Sequence, residues 1–334
     1  MGGKVVTKFV VVGANSFSGS HFVRRVLAEG HEVWGLGRSP EPAKVFLPRL
    51  WGKDHSARYH FVQLDLNNPS SALGDFFREV GPEIVVNFAA QGMLAQSWEQ
   101  PWDWFSTNTA GLSRLLHEIL ALPNLTKYVH ITTPEVYGST EGWVRESFNF
   151  APSTPYAVSR AAGDWHVINL FKVKGLPAVL TRAANVYGPG QQLYRVIPRA
   201  FLSGLLEESF PLHGEGGSTR SFIHIDDVVE ATYRLSLSDS VGDTFHISTN
   251  ELVSIRELVS QVYTLLGAPE TGVVVFAERD GKDQTYQLDS SKIRSELGWT
   301  DTVSLSDGLE QVHQWVVENL PALRKIPKEY LHKA

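Results

Sequence analysis

The chain contains no cysteine, which excludes disulfides, thiolate metal sites and a thiol nucleophile. It also lacks any block of like charge. Its 30 Lys and Arg stand against 36 Asp and Glu, for a formal net charge of −6, which argues against a nucleic-acid or anionic-membrane surface. No long apolar run is present. The short stretch Phe9 to Val12 runs into glycine, so neither a secretion signal nor a membrane span is expected, and a cytoplasmic protein is. Internal repeats and low-complexity tracts are absent. No His, Asp and Glu cluster has metal-ligand spacing, so no metal is expected.

What is present is a chain of 334 residues, 43% hydrophobic and 20% charged. That is enough for a large core and two lobes. The segment KFVVVGANSFSGSHFVRRVLAEGHEVWGLGRS reads strand, glycine turn, amphipathic helix, strand, with the helix ending near Ala28 before Gly30. This is the βαβ context of a dinucleotide fingerprint. Gly13, Asn15, Ser16, Phe17, Ser18 and Gly19 are then the turn expected to face a pyrophosphate, with Ser16 where the middle glycine usually stands. After the second strand come Arg38 and Ser39, where an NAD enzyme usually places Asp or Glu. Arginine suits a 2′-phosphate, so NADP is the expected cofactor and NAD the alternative. Asp65 and Leu66 close a third strand and resemble an adenine contact. A fourth, PEIVVNFAA, ends in Asn87, Ala89 and Ala90, small residues that let a cofactor lie against the backbone. Gln91, next in line, is counted with both cofactor and substrate contacts.

The densest chemistry lies between Ile131 and Arg160. The apolar run KYVHIT reads as a buried strand, placing Thr133 and Glu135 where it gives way to a loop. Thr154 and Pro155 read as N-cap and first helical position. On the helix they start, Tyr156 and Arg160 share a face. A fixed cation beside a phenol favours the phenolate, which then takes a proton from an alcohol. Taken alone, Tyr-x-x-x-Arg is equally the pattern of a half-buried tyrosine beside a surface arginine.

The alternation of strands and helices predicts an α/β fold: a Rossmann-type doubly wound parallel sheet with a smaller C-terminal α/β substrate lobe. The expected division is 1–188 for the cofactor domain, with a returning segment near 222–248, and 189–334 mainly for the second lobe. A helical region over roughly 102–122 carries LSRLLHEIL, apolar at helical spacing.

The motifs GANSFSG, VVNFAAQ, TTPEVYG, YAVSR, TRAANVYGPG, RSFIHIDDV, RDGKDQTYQLD and KIRSELGW together resemble the extended short-chain dehydrogenase/reductases that modify nucleotide sugars. The Glu of TTPEVYG and the text around PSTPYAVSRAAGD are most similar to the 4,6-dehydratases of dTDP-glucose or GDP-mannose. The resemblance implies that Tyr156, assisted by Arg160 and Thr133, removes the C4 hydroxyl proton while hydride leaves C4. It implies that Glu135 removes the C5 proton as water departs from C6. It further implies that Asn185, Arg195, Arg199, Arg220 and Arg279, with Gln91, hold the nucleoside diphosphate sugar, and that the chain forms a homodimer. Two departures from the pattern touch chemistry: Arg160 stands for the usual lysine, and Pro134 for the aspartate that dTDP-glucose dehydratases place between Thr and Glu. A 4-epimerase, a 4-keto-sugar reductase and a silent dinucleotide-binding protein are the alternatives.

Overall fold

The computed structural model describes residues 6–277 and 287–333. The chain opens with β1 (Lys8–Val12), α1 (Phe17–Ala28), β2 (Glu32–Gly37), β3 (Tyr59–Gln63), α2 (Ala72–Val80) and β4 (Ile84–Asn87). A helical stretch comes next in three parts, α3 (Pro101–Phe105), a π turn (Ser106–Gly111) and α4 (Leu112–Leu120). It leads to β5 (Lys127–Ile131), β6 (Trp143–Val144), α5 (Pro155–Lys174), β7 (Ala178–Ala183) and β8 (Asn185–Tyr187). Beyond these lie α6 (Val196–Leu205), β9 (Phe210–His213), β10 (Thr219–Arg220), β11 (Phe222–His224), α7 (Ile225–Leu237) and β12 (Thr244–Ile247). The described chain closes with β13 (Val253–Ser254), α8 (Ile255–Leu266), β14 (Val273–Phe276), β15 (Gln287–Leu288), α9 (Ser291–Leu297) and α10 (Leu305–Leu323).

Seven strands form one parallel sheet in the order β3-β2-β1-β4-β5-β7-β12. The order reverses between β1 and β4, the point where a sheet of this order forms its crevice beyond the strands' carboxyl ends. The expected α/β architecture is what forms, with smaller two-stranded sheets, among them β14 with β9 and β10 with β13, in the C-terminal part. Alternation along β1 divides its side chains between two layers. Phe9 and Val11 pack with Phe22 and Val26 of α1 and Val228 of α7. Val10 and Val12 pack with Phe77, Leu115, Leu116 and Val167 from α2, α4 and α5. Each such side chain contributes on the order of 1.5–3 kcal/mol by leaving water. A separate cluster joins Ile197 and Phe201 of α6 to Leu258 and Val262 of α8 and to Val312 and Trp315 of α10.

Between α5 and β7 lies a buried ion pair. Asp164 and Arg182 are both fully inaccessible, with 2.9 Å between Arg182 Nη2 and Asp164 Oδ2. The guanidinium also donates to the Tyr137 hydroxyl at 2.6 Å, which bonds His246 Nε2 at 2.8 Å. Burial pushes the Asp164 carboxyl up, but His130, Arg182 and Thr132 pull it net below the ordinary aspartate value.

Removing one partner leaves an uncompensated buried charge. Asp164→Ala is expected to lose about 3–5 kcal/mol in urea unfolding. Because the folded carboxyl titrates below its unfolded value, its contribution is present above the unfolded pKa and fades as pH falls through the folded one. The variant should therefore lose part of the parent's acid-side slope, and an unchanged slope would contradict the assignment.

Candidate active site

The floor of the crevice is set by how closely the turn after β1 approaches the end of β4. Gly13 has φ +80°, and a Cβ there would lie 2.6 Å from Ala89 N. A Cβ on Gly19 would in turn strike the Gly13 carbonyl. Neither position accepts a side chain, and the cradle this leaves fits a dinucleotide pyrophosphate at the start of α1. Ser16 is accommodated because it is extended, with φ −73° and ψ 161°, and caps α1: its Oγ accepts from Gly19 N at 3.1 Å. Phe17 and Ser18 open that helix. Asn15 Nδ2 donates to the Ser39 carbonyl at 3.1 Å, tying the turn to the end of β2.

Arg38 follows β2 and Gln91 follows β4. Both point at one acceptor, the Lys333 peptide carbonyl, at 2.7 Å from Arg38 Nη2 and 2.5 Å from Gln91 Nε2. Asp65 and Leu66 lie past β3, where the Asp65 carboxylate accepts from Asn67 N at 2.9 Å and the Leu66 carbonyl from Arg114 at 3.2 Å. Ala89 N donates to the buried Asn87 Oδ1 at 3.0 Å, and Ala90 beside it is exposed. Asn108, which no motif singled out, holds this wall. From the π turn its Oδ1 accepts from Gln91 N at 2.9 Å, while Nδ2 donates to the Gln91 carbonyl and to Ser159 Oγ, each at 3.0 Å. The available signal was a polar run of weak helix formers, STNTAG, inside a helical pattern, and π turns frequently mark functional sites.

Thr133 caps the short turn Pro134–Tyr137, its Oγ1 accepting from Glu135 N at 3.3 Å. Pro134 takes the first helical position, where a missing N–H costs nothing. The turn carries Glu135, half-buried, whose charge acts on the phenol of Tyr156. Thr154 caps α5, accepting from Ala157 N at 3.1 Å, and Pro155 starts the helix that carries Tyr156 and Arg160.

Tyr156 departs from expectation in its acidity. Burial raises its pKa above the ordinary phenol value more than the Arg160 charge and a hydrogen bond with Thr133 lower it. Glu135 raises it further, and Arg195 lowers it. Arg160 is itself 5% exposed, and its guanidinium donates to the Ile131 carbonyl at the end of β5. It braces helix against strand as well as facing the phenol, so it does not by itself hold Tyr156 as phenolate.

On the substrate side, Asn185 opens β8, and its N–H donates to the Ser221 carbonyl at 3.1 Å. Arg195 is exposed at the start of α6, with its guanidinium 5.6 Å from the Tyr194 ring. Arg199 donates to the Lys328 carbonyl at 2.8 Å and pairs with Glu329 at 2.9 Å. Arg220, buried on β10, donates to the Thr219 carbonyl at 2.9 Å. Arg279 lies outside the described residues. Among the described residues no group of His, Asp and Glu could hold a metal ion, and no helix is long and apolar enough to cross a membrane.

Comparison with known proteins agrees with this geometry. The family described as GDP-mannose 4,6 dehydratase matches residues 10–312. A dTDP-glucose 4,6-dehydratase of Streptomyces niveus is 32% identical over 321 residues, covering 93% of each chain. A crystal structure of a dTDP-glucose 4,6-dehydratase from Streptomyces venezuelae, with NAD bound, superposes with a TM-score of 0.87 at 31% identity, over 94% of this chain and 98% of that one. A UDP-glucuronic acid 4-epimerase from Bacillus cereus, in complex with UDP-glucuronic acid and NAD, reaches 0.85 at 27% identity, over 93% and 99%. With its glycine cradle, its Thr133, Glu135 and Tyr156 grouping and a match over nearly its whole length, the chain belongs to the GDP-mannose 4,6 dehydratase family of extended short-chain dehydrogenase/reductases.

Proposed function

We infer that the protein is a nucleotide-sugar 4,6-dehydratase, a hydro-lyase that uses a nicotinamide dinucleotide and yields a 4-keto-6-deoxy sugar nucleotide. The observation that carries this reading is a carboxylate, Glu135, held on a proline-started turn after β5, close enough for its charge to act on the buried phenol of Tyr156. A 4-epimerase needs the phenol but no second base. The dinucleotide, bound along Gly13, Ser16, Gly19 and Ala89, supplies the acceptor for hydride from C4 and its donor to C6. Tyr156 takes the C4 hydroxyl proton, and Thr133 orients that oxygen. The ketone acidifies C5–H, which Glu135 removes. Proline at 134 has no proton to give, so the protonated Glu135 is the group that returns one to the departing C6 hydroxyl. Tyr156 gives the proton it took from the C4 hydroxyl back to C5 once C6 has been reduced, which restores the phenolate.

The expectation of NADP rests on Arg38 alone. The dehydratase and epimerase structures compared above carry NAD, so the dinucleotide this reading supports best is NAD. The substrate is a hexose on a nucleoside diphosphate, held by Asn185, Arg195 and Arg220, with Arg199 and Arg279 as further candidates. The division into a cofactor domain over 1–188, with 222–248 returning to it, and a substrate lobe over 189–334 belongs to this proposal. So does a cytoplasmic location. A homodimer fits the exposed apolar side chains Trp98 at 55%, Trp102 at 62%, Val158 at 41% and Trp165 at 42%, on α3, the turn before it and the neighbouring α5.

Incubated with nucleoside diphosphate hexoses, the protein should convert one of them to a product lighter by one water, without net cofactor reduction, as read by mass spectrometry. Glu135→Gln should slow that loss by about 10²–10⁴-fold while dinucleotide affinity stays unchanged. If the variant eliminates water at the parent rate, Glu135 is not the C5 base. Tyr156 acts deprotonated, and burial raises its pKa, so kcat/KM should climb with pH on the alkaline side. Tyr156→Phe should abolish that limb; a limb that survives belongs to another group. Light scattering should return twice the chain mass, and Trp102→Glu should halve it; a parent already monomeric would rule the dimer out.

A further inference from the structure

After α10 the chain does not stop at the second lobe. Residues 324–333 run back along the mouth of the crevice and are fastened at successive points. The Lys328 carbonyl takes Arg199 of α6 at 2.8 Å, and Lys328 Nζ pairs with Glu208. The Tyr330 ring meets Tyr194 edge-on, with centroids 5.4 Å apart. The His332 ring lies flat on Trp104 of α3, 5.0 Å away and 3° from parallel, while its Nε2 bonds Asp103 at 2.7 Å. The Lys333 carbonyl then receives both Arg38 and Gln91.

The last contact carries the argument. Arg38 and Gln91 stand past the ends of β2 and β4, on either side of the turn after β1, where a dinucleotide crosses a sheet of this order. Their donors converge on one oxygen. A carbonyl has two lone pairs, so a single backbone oxygen satisfies both. A ribose hydroxyl or phosphate oxygen of the cofactor would use the same two donors, and both ligands cannot hold them at once.

We propose that residues 327–333 form an intramolecular strap that occupies donors on both sides of the turn after β1 in the cofactor cleft and competes with the dinucleotide for Arg38 and Gln91. This rests on the reading of the crevice as a dinucleotide site. The coupling is reciprocal: whatever weakens the strap tightens the cofactor, and the cofactor releases the strap by the same factor.

Two measurements on purified protein test it. Equilibrium titration with NAD and NADP compares the full chain, a chain ending at Ile326, and His332→Ala, which removes the ring stack without shortening the chain. The strap predicts dinucleotide affinity at least roughly fivefold tighter in the shortened chain, with His332→Ala between it and the full chain. In the full chain, saturating NAD should speed trypsin cleavage after Lys328. Equal affinities with unchanged cleavage would overturn the proposal, as would weaker affinity on shortening, which would make the segment a clamp on bound cofactor. If none of the three binds either dinucleotide, the cleft reading fails and the strap with it; tight binding that is equal in all three sinks the strap alone.

Discussion

Asp164 and Arg182, a carboxylate and a guanidinium with no access to water, hold α5 to the sheet, and the catalytic geometry hangs from that contact. Asp164 stands one turn beyond Arg160 on α5, and Arg182 sits on β7 beside β5. The same guanidinium reaches Tyr137, the last residue of the turn that carries Glu135. One buried cation therefore sets the relative position of two groups that the sequence separates: the phenol on the helix and the carboxylate on the turn. Such a pair is not a gain over a well-packed apolar contact, but it has only one satisfactory geometry. That is what the two proton transfers proposed for Tyr156 and Glu135 require.

The two departures from the family pattern at chemical positions have local accounts. Pro134 gives up a proton donor but presets the backbone of the turn, so Thr133 can cap it and Glu135 comes next at a fixed angle. Arg160 keeps the charge of the usual lysine and adds a second contact to the Ile131 carbonyl, which joins α5 to the end of β5. Ser16 exchanges a glycine's freedom for a helix cap.

Local signals in the sequence were legible where the physics is local. The glycine turn after β1, the Thr154-Pro155 start of α5 and the strand ends that carry Asn87 and Thr133 arise from propensity, capping and periodicity over a few residues. What escaped depends on distance in the chain. The Asp164 to Arg182 pair looks in sequence like two surface charges. Asn108 is informative only once Gln91 and Ser159 are brought to it. The acidity of Tyr156 was misjudged because burial, unlike the spacing to Arg160, cannot be counted along a helix. The contacts of Arg199 with Lys328 and Glu329 likewise come from a segment far along the chain.

The π turn at Ser106–Gly111 also has a consequence for helical phase. Trp104 and Leu115 are about three turns apart, so an unbroken α-helix would point both at the same layer. A π turn absorbs one extra residue and rotates the helix on its C-terminal side by about 100° relative to the helix on its N-terminal side. Leu115 thereby stays in the apolar layer beneath β1 and β4, while the Trp104 ring, equally buried, is released from that layer to stack on His332. A single helix thus serves two masters, its later half keyed to the sheet and its earlier half keyed to whatever lies across the mouth of the cleft.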